Sequence, residues 1–522
     1  MKRFLPSIYF LLLTLPTFAQ DQLWGSYFSY YNVVDIAQSN SRVYAAGESA
    51  MFSQNTLNGE LKTITSVDGL RPNNITAICH SSAYSRTLVG DATGLLIVVN
   101  NDGSTVNKID IVQETTIAAS KKKINHILEN DGIAYIATDY GISAFNIATL
   151  EFIDTYYLGP NGAEIAVLQT AVFNGNLYAV TAESGIRRGQ LSNPNLNDFS
   201  QWETYNTAMW QTIAAFNETL FVTNGGAIFK LFDNGATEFF GSTPTTIVDM
   251  RVANNYLLAT SAGKILAYTA DLNLSFQINT VGEPATFSCS SIVGGKLYVG
   301  TTDKGVFAVD QTNFAIQNIT PSGPLRNNIF AIEKSPNTLW AVFGGYSYYH
   351  QPDQRLYGAS KLGPEGWISI PASAMLNARS ISDITINPGN ENEVYLNSYE
   401  SGLLKVVDDV PVILYNDSNG LDHEQMDNTQ STRIIGGTFD RNGKLWVMNT
   451  RTKNALKSFN GNTWTPYSFE DILPPTKEQE YGIMAIDKNG TKWIPTYSSG
   501  LLAFNEALSN KYIVINTDSG LP

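Results

Sequence analysis

The sequence predicts an all-β fold: a seven-bladed β-propeller followed by part of a second β-propeller. Three observations lead there. The composition, with 26 Tyr, 25 Phe, 8 Trp and 41 Gly in 522 residues and only 15% charged, suits strands and turns. A short unit, Gly294-Gly295-Lys296-Leu297-Tyr298-Val299-Gly300-Thr301-Thr302-Asp303-Lys304-Gly305-Val306-Phe307-Ala308-Val309, reads as two alternating strands joined by a glycine-containing turn. That unit recurs. Its aromatic or apolar anchor appears as Tyr44, Leu88, Tyr135, Tyr178, Phe221, Leu258, Tyr298, Trp340, Tyr395, Trp446 and Trp493, with a mean period of about 45 residues. A repeat of that length with several strands is the signature of propeller blades.

The chain opens on a targeting segment, residues 1–19. Lys2 and Arg3 precede an apolar run through Leu15, and Thr17-Phe18-Ala19 is small at its first and last positions. This is the layout of a secretory signal peptide cleaved after Ala19. The run is short for a membrane span, and Pro16 interrupts it. No cysteine stands at the cleavage point, which argues against a bacterial lipid anchor. No transmembrane segment is expected later in the chain.

Residues 20–320 read as the first propeller, with anchors 37 to 47 residues apart. The segment Leu23-Trp24-Gly25-Ser26-Tyr27 is expected to supply an outer strand that closes the ring against blade seven, leaving few edges to aggregate. Residues 321–522 read as a partial second propeller with longer loops, the anchor spacing loosening to between 42 and 55. A single ring of eleven or more blades is the alternative. The last residues, Asp518-Ser519-Gly520-Leu521-Pro522, repeat the entry turns Asp68-Gly69-Leu70-Arg71-Pro72 and Asn419-Gly420-Leu421. The sequence is therefore expected to be a shortened form of a longer protein.

Within each blade the innermost strand precedes the anchor hairpin, as in Ile75-Thr76-Ala77-Ile78 and Ile329-Phe330-Ala331-Ile332, and the outermost is polar. Cys79 and Cys289 each lie nine residues before an anchor, in blades two and seven. An exported protein can pair such cysteines. A whole blade between them favours two buried free thiols instead. The net charge of -14 keeps an exported chain soluble and argues against general nucleic-acid binding, without excluding a local basic patch.

Two repeats carry a family pattern. Asp440-Arg441-Asn442-Gly443-Lys444-Leu445-Trp446-Val447 and Asp487-Lys488-Asn489-Gly490-Thr491-Lys492-Trp493-Ile494 resemble the two-component-regulator propeller repeat. The N-terminus is closer to another family. Ala19-Gln20-Asp21 leading into Leu23-Trp24-Gly25-Ser26-Tyr27-Phe28-Ser29-Tyr30, then Val34-Asp35-Ile36-Ala37 and Arg42-Val43-Tyr44-Ala45-Ala46, resembles the start of the PorZ family of the type IX secretion system of the Bacteroidetes. The resemblance implies an exported protein reaching from the periplasm to the outer-membrane surface, working with the sortase PorU. It further implies binding or delivery of anionic lipopolysaccharide for cargo attachment, without catalysis and without a cofactor.

Catalytic and metal patterns are scarce. His80, His126, His350 and His423 are scattered, with no H-E-x-x-H spacing, and no G-x-S-x-G elbow or Walker loop occurs. His80 and His126 fall on or beside inner strands, where core or channel-lining roles are expected. The two Asp-x-Asn-Gly turns approach a calcium loop but lack its downstream glutamate, so Asn-Gly is read as a hairpin turn. Propeller active sites are assembled from distant blades, which leaves paired carboxylates open. Candidate ligand-binding residues lie on connections into inner strands: Arg71 and Asn73 before blade two, Lys121, Lys122 and Lys123 before blade three, and Arg326 at the matching turn before blade eight. Together Arg71 and the lysine run are expected to form a basic spot for an acidic glycan. The bland alternative is a solvated loop whose asparagines cap turns. The competing function is the periplasmic oligosaccharide-sensing propeller of a hybrid two-component regulator; a propeller hydrolase or lyase comes third.

Overall fold

A computed structural model describes residues 25–426, 429–473 and 480–520. Residues 1–19, expected to be a signal peptide, and Trp24 lie outside the described residues. Among these residues the chain folds into eleven four-stranded antiparallel sheets, each made of four strands consecutive in sequence. All eleven anchors fall on the second strand of their sheets, from Tyr44 in Arg42–Ala46 to Trp493 in Lys492–Pro495. No helix in the described residues is long and apolar enough to cross a membrane.

The strand order follows from a gradient in burial. Second strands are almost wholly buried, as in Asn176–Thr181, while fourth strands such as Ile316–Asn318 are exposed along their length. A sheet packed on both faces near the axis needs apolar residues at successive positions, and one near the rim does not. Tight hairpins join the second and third strands. At Gly185 (φ 66°) and Gly402 (φ 108°) the backbone is left-handed, and a Cβ would strike the carbonyl of Asn206 or Tyr415 at the end of the fourth strand. Glycine is required there on both grounds.

The hydrophobic core is divided among the gaps between sheets. Each of the seven gaps among sheets one to seven holds a cluster, including one between sheets seven and one that joins Ile36, Val43 and Phe52 to Cys289, Tyr298 and Val306. The inner strand Asp35–Gln38 accordingly packs between Ile75–Ser81 of sheet two and Phe287–Val293 of sheet seven. Sheets eight to eleven follow as an arc joined by three clusters, one in each gap.

Two expectations change. Residues 25–27 are not a strand, and the fourth strand of sheet seven is Ile316–Asn318 from within its own repeat. The N-terminal segment fastens sheet seven differently: Val33 N donates to Thr301 O (2.8 Å), Gly305 N donates to Tyr31 O (2.9 Å), and Tyr30 enters the cluster between sheets one and seven. The two cysteines are free but not equivalent. Cys79 pairs with Leu88, whereas Cys289 pairs with Gly300, two residues beyond Tyr298, because the hairpin of sheet two has the longer turn.

Candidate functional site

The seven inner strands of the first ring surround an axial cavity of about 400 Å³. Each sheet turns a polar side chain toward it: Asp35, Thr76, Asn125, Gln169, Thr212, Asp249 and Ser288. An innermost strand has no partner on its axial edge, so its backbone groups need other partners. Several of these side chains meet that need across the gap to the next sheet. Asp35 accepts from Ile78 N (2.8 Å) as well as from Ile36 N of its own strand, Thr76 Oγ1 donates to Ile124 O (2.6 Å), and Asn125 Nδ2 donates to Val167 O (3.0 Å). Asp249 likewise accepts from Ser290 N (3.3 Å).

Arg251 lines the cavity and reaches from sheet six to sheet one. Its Nε and Nη2 clasp Asp249 at 2.8 to 3.0 Å, Nη2 also meets Asp35 at 2.6 Å, and Nη1 donates to the Ile36 carbonyl. Desolvation favours neutral forms of all these groups. For Arg251 that effect is outweighed by Asp249 and Asp35, which hold the guanidinium well above its ordinary value. For Asp249 desolvation prevails over Arg251, and its carboxyl is raised. With Nε and both Nη atoms engaged by protein, Arg251 is a clamp rather than an anion receptor.

His80 and His126 line the same cavity. Desolvation lowers each to about 4, so both are neutral at physiological pH. His126 Nδ1 accepts from Thr170 N (3.4 Å) on sheet four, and His80 stacks on Tyr44 with ring centroids 4.5 Å apart. Burial also pushes the Cys79 thiol up to about 12, and the Cys289 thiol is raised as well. A thiol held protonated is a poor nucleophile. Among the described residues no group of three or more His, Cys, Asp or Glu is placed to hold a metal ion. Sequence reasoning singled out the two histidines but missed Asp35, Asp249 and Arg251. The available signal was charge at inner-strand positions flanked by Val34 and Ile36 or by Val248 and Val252.

Two of the candidates, Asn73 and Lys122, come to one turn, residues 91–94. Asn73 N donates to Asp91 Oδ2 (2.8 Å), Ala92 N donates to Asn74 O (3.0 Å), and Gly94 of the same turn lies against the Lys122 carbonyl. Arg71 and the three lysines do not form the expected basic spot. Lys122 is buried, its Nζ donating to Val112 O (2.7 Å) and Glu114 O (2.6 Å), which closes the loop before blade three. Lys121 pairs with Glu164 at 2.8 Å. Arg71 and Lys123 are exposed. Arg326 sits apart, at the seam with sheet eight, its guanidinium 4.3 Å from the Tyr357 ring centroid.

The two Asp-x-Asn-Gly turns are structural. Asp440 accepts from Asn442 N (2.9 Å), Lys444 N (3.0 Å) and Trp446 Nε1 (3.0 Å), and Asp487 repeats this with Asn489 N, Thr491 N and Trp493 Nε1. Each aspartate both caps its turn and anchors the tryptophan of the next strand.

Residues 43–203, which run through sheets one to four, match the family model of the N-terminal β-propeller domain of PorZ from the type IX secretion system. Residues 43–203 are PorZ-like. The solved structure of PorZ, described as an essential bacterial surface component of that system in Porphyromonas gingivalis, aligns with a TM-score of 0.79 at 16% identity. The alignment covers 94% of this chain and 66% of that one, so the chain spans just under two thirds of the PorZ structure's length. At this identity the likeness to PorZ is one of fold. The extracellular domain of the hybrid two-component system BT3049 of B. thetaiotaomicron aligns with a TM-score of 0.42 at 13% identity, covering 95% of this chain and 72% of that one. No curated protein matches the chain in sequence.

Proposed function

We propose that this chain is a non-enzymatic, exported component of the type IX secretion system that works at the cell surface. It docks a PorU-like sortase and binds or delivers anionic lipopolysaccharide for attachment to cargo. Residues 20–320 act as a seven-bladed first ring and residues 321–522 as part of a second. The observation that carries this reading is the match of residues 43–203 to the PorZ N-terminal propeller.

The geometry supports a docking role. A ring whose inner charges are paired within the protein, Arg251 with Asp35 and Asp249, leaves recognition to the loops at its faces. Exposed Arg71 and Lys123 stand on neighbouring entry loops, and with a net charge of -14 on the whole chain, recognition of an acidic glycan has to be local.

Affinity-tagged full-length protein, isolated from its own bacterium, tests the docking half: the sortase should co-purify, and its absence from every preparation would defeat the assignment. A transmembrane helix and kinase region following the second ring in the full-length protein would instead favour the oligosaccharide sensor that the Asp440–Trp446 and Asp487–Trp493 repeats resemble.

A further inference from the structure

The first ring and sheet eight meet along a seam laid by the N-terminal segment. Ser29 Oγ donates to Leu325 O (2.8 Å), Ser29 N donates to Asn327 Oδ1 (2.8 Å), and Asn327 Nδ2 donates to Glu48 Oε2 (3.4 Å). Leu325 N donates to Ser360 Oγ (3.0 Å) in sheet eight, and Tyr27 packs edge-on against Trp367 with centroids 5.6 Å apart. The three hydrogen bonds from Ser29 and Glu48 tie residues 279 to 298 positions apart, so the seam is built rather than incidental.

It encloses a cavity of about 510 Å³, lined by both sides. That volume lies within the usual range of small-ligand sites, and domain interfaces are where such sites concentrate. The second-domain wall is apolar and aromatic, with Leu356, Tyr357 and Pro371. The first-ring wall is polar, with Asn32, Glu48, Asp303 and Lys304, whose Nζ pairs with Glu283 at 3.5 Å.

Arg326 stands at the cavity with its guanidinium stacked on Tyr357. Its Nε donates to Asn328 Oδ1 (3.2 Å), and among the described residues no carboxylate lies within ion-pair distance. The stack fixes the plane of the fork while leaving Nη1 and Nη2 for a ligand, the arrangement that suits bidentate recognition of a carboxylate or phosphate. The neighbouring acids do not pair with Arg326 and keep lone pairs free: Glu48 accepts from Asn32 Nδ2 (2.7 Å) and Asn327, and Asp303 accepts from Thr286 N (3.2 Å).

We propose that this seam cavity binds an acidic sugar unit, a hexuronate or a sugar phosphate. Arg326 takes the anionic group, the Tyr357, Leu356 and Pro371 wall takes the C–H face of the ring, and Glu48 and Asp303 accept from its hydroxyls. An amphipathic ring with one anionic substituent matches a cavity that is apolar on one wall, polar on the other and cationic at one end. The inference deepens the anionic-glycan reading and rests on it.

The test is titration of the full chain with glucuronate, glucose 1-phosphate and glucose by calorimetry, alongside the variants R326Q and Y357A. The acids should bind at least tenfold more tightly than glucose. R326Q should weaken the acids at least tenfold without shifting thermal unfolding, while Y357A should weaken all sugars. Equal binding of glucose, unchanged acid binding by R326Q, or failure of the wild type to bind either acid overturns the seam site. The same variants titrated with anionic lipopolysaccharide separate the two ideas. Undiminished lipopolysaccharide binding by R326Q removes the seam site alone, and a wild type that binds neither lipopolysaccharide nor the acids removes the anionic-glycan reading as well.

Discussion

Arg251 Nη2 lies 2.6 Å from Asp35 Oδ1, although the two residues stand 216 positions apart and sheet seven intervenes between their sheets. The pair ties sheet six to sheet one behind sheet seven, on the axial side. Ring closure therefore has an axial clamp as well as the apolar cluster between sheets seven and one. A buried ion pair contributes little against an apolar replacement of both partners, but removing one partner strands the other charge.

Arg251→Met should accordingly destabilise the first ring by about 3 to 5 kcal/mol, read by urea unfolding. Adding Asp35→Asn and Asp249→Asn to that variant should recover most of the loss, because no stranded carboxylate remains. A single variant as stable as the wild type would show that the clamp is incidental.

Acid should weaken the same region. His126 is held at about 4 by desolvation, against 6.5 for the exposed group. The unfolded chain therefore binds protons that the folded one refuses, and stability is complete above pH 6.5 and falls as pH drops from 6.5 toward 4. The shift corresponds to about 3 kcal/mol for His126. Unfolding free energies at pH 7.5 and 4.5 should show this slope, and His126→Gln should flatten it.

Asp383 has the opposite sign. Its carboxyl is pushed up to about 7 from 3.8, chiefly by desolvation, with Glu333 adding to the rise and backbone N–H groups opposing it. Its ionisation costs stability as pH rises from about 4 through 7. Asp383→Asn should therefore gain about 2 kcal/mol more, relative to wild type, at pH 8 than at pH 5. Denaturant titrations at the two values check this, and a gain independent of pH would contradict it.

The N-terminal segment offers a further test. Deleting residues 25–31 removes the Tyr31 carbonyl from Gly305, Tyr30 from the core between sheets one and seven, and Ser29 from the seam. Hydrogen exchange should quicken in Val306–Asp310, the third strand of sheet seven, while Asn176–Thr181 of sheet four, on the far side of the ring, stays protected. Uniform protection would mean that the segment merely rests on the ring.

The repeat was legible because its determinants are local. Alternation, an anchor on the second strand and a turn glycine recur every 45 residues or so, and all eleven anchors sit where that pattern puts them. What escaped the sequence depends on distant partners or on turn length. Arg251 has a role only once the ring brings Asp35 to it, and Lys122 is spent on carbonyls of its own loop rather than offered to a ligand. The equivalence of Cys79 and Cys289 failed because counting residues ignores the longer hairpin turn of sheet two. Asp440 and Asp487 were readable as turn residues, but their second duty, holding Trp446 and Trp493, needed coordinates.

The most direct test of the central claim is equilibrium binding of anionic lipopolysaccharide from the source bacterium to the full-length protein, measured across a salt series. The account predicts saturable binding that weakens as salt rises and is not displaced by a neutral polysaccharide. Absence of binding, or binding that a neutral oligosaccharide displaces and salt does not affect, would contradict it.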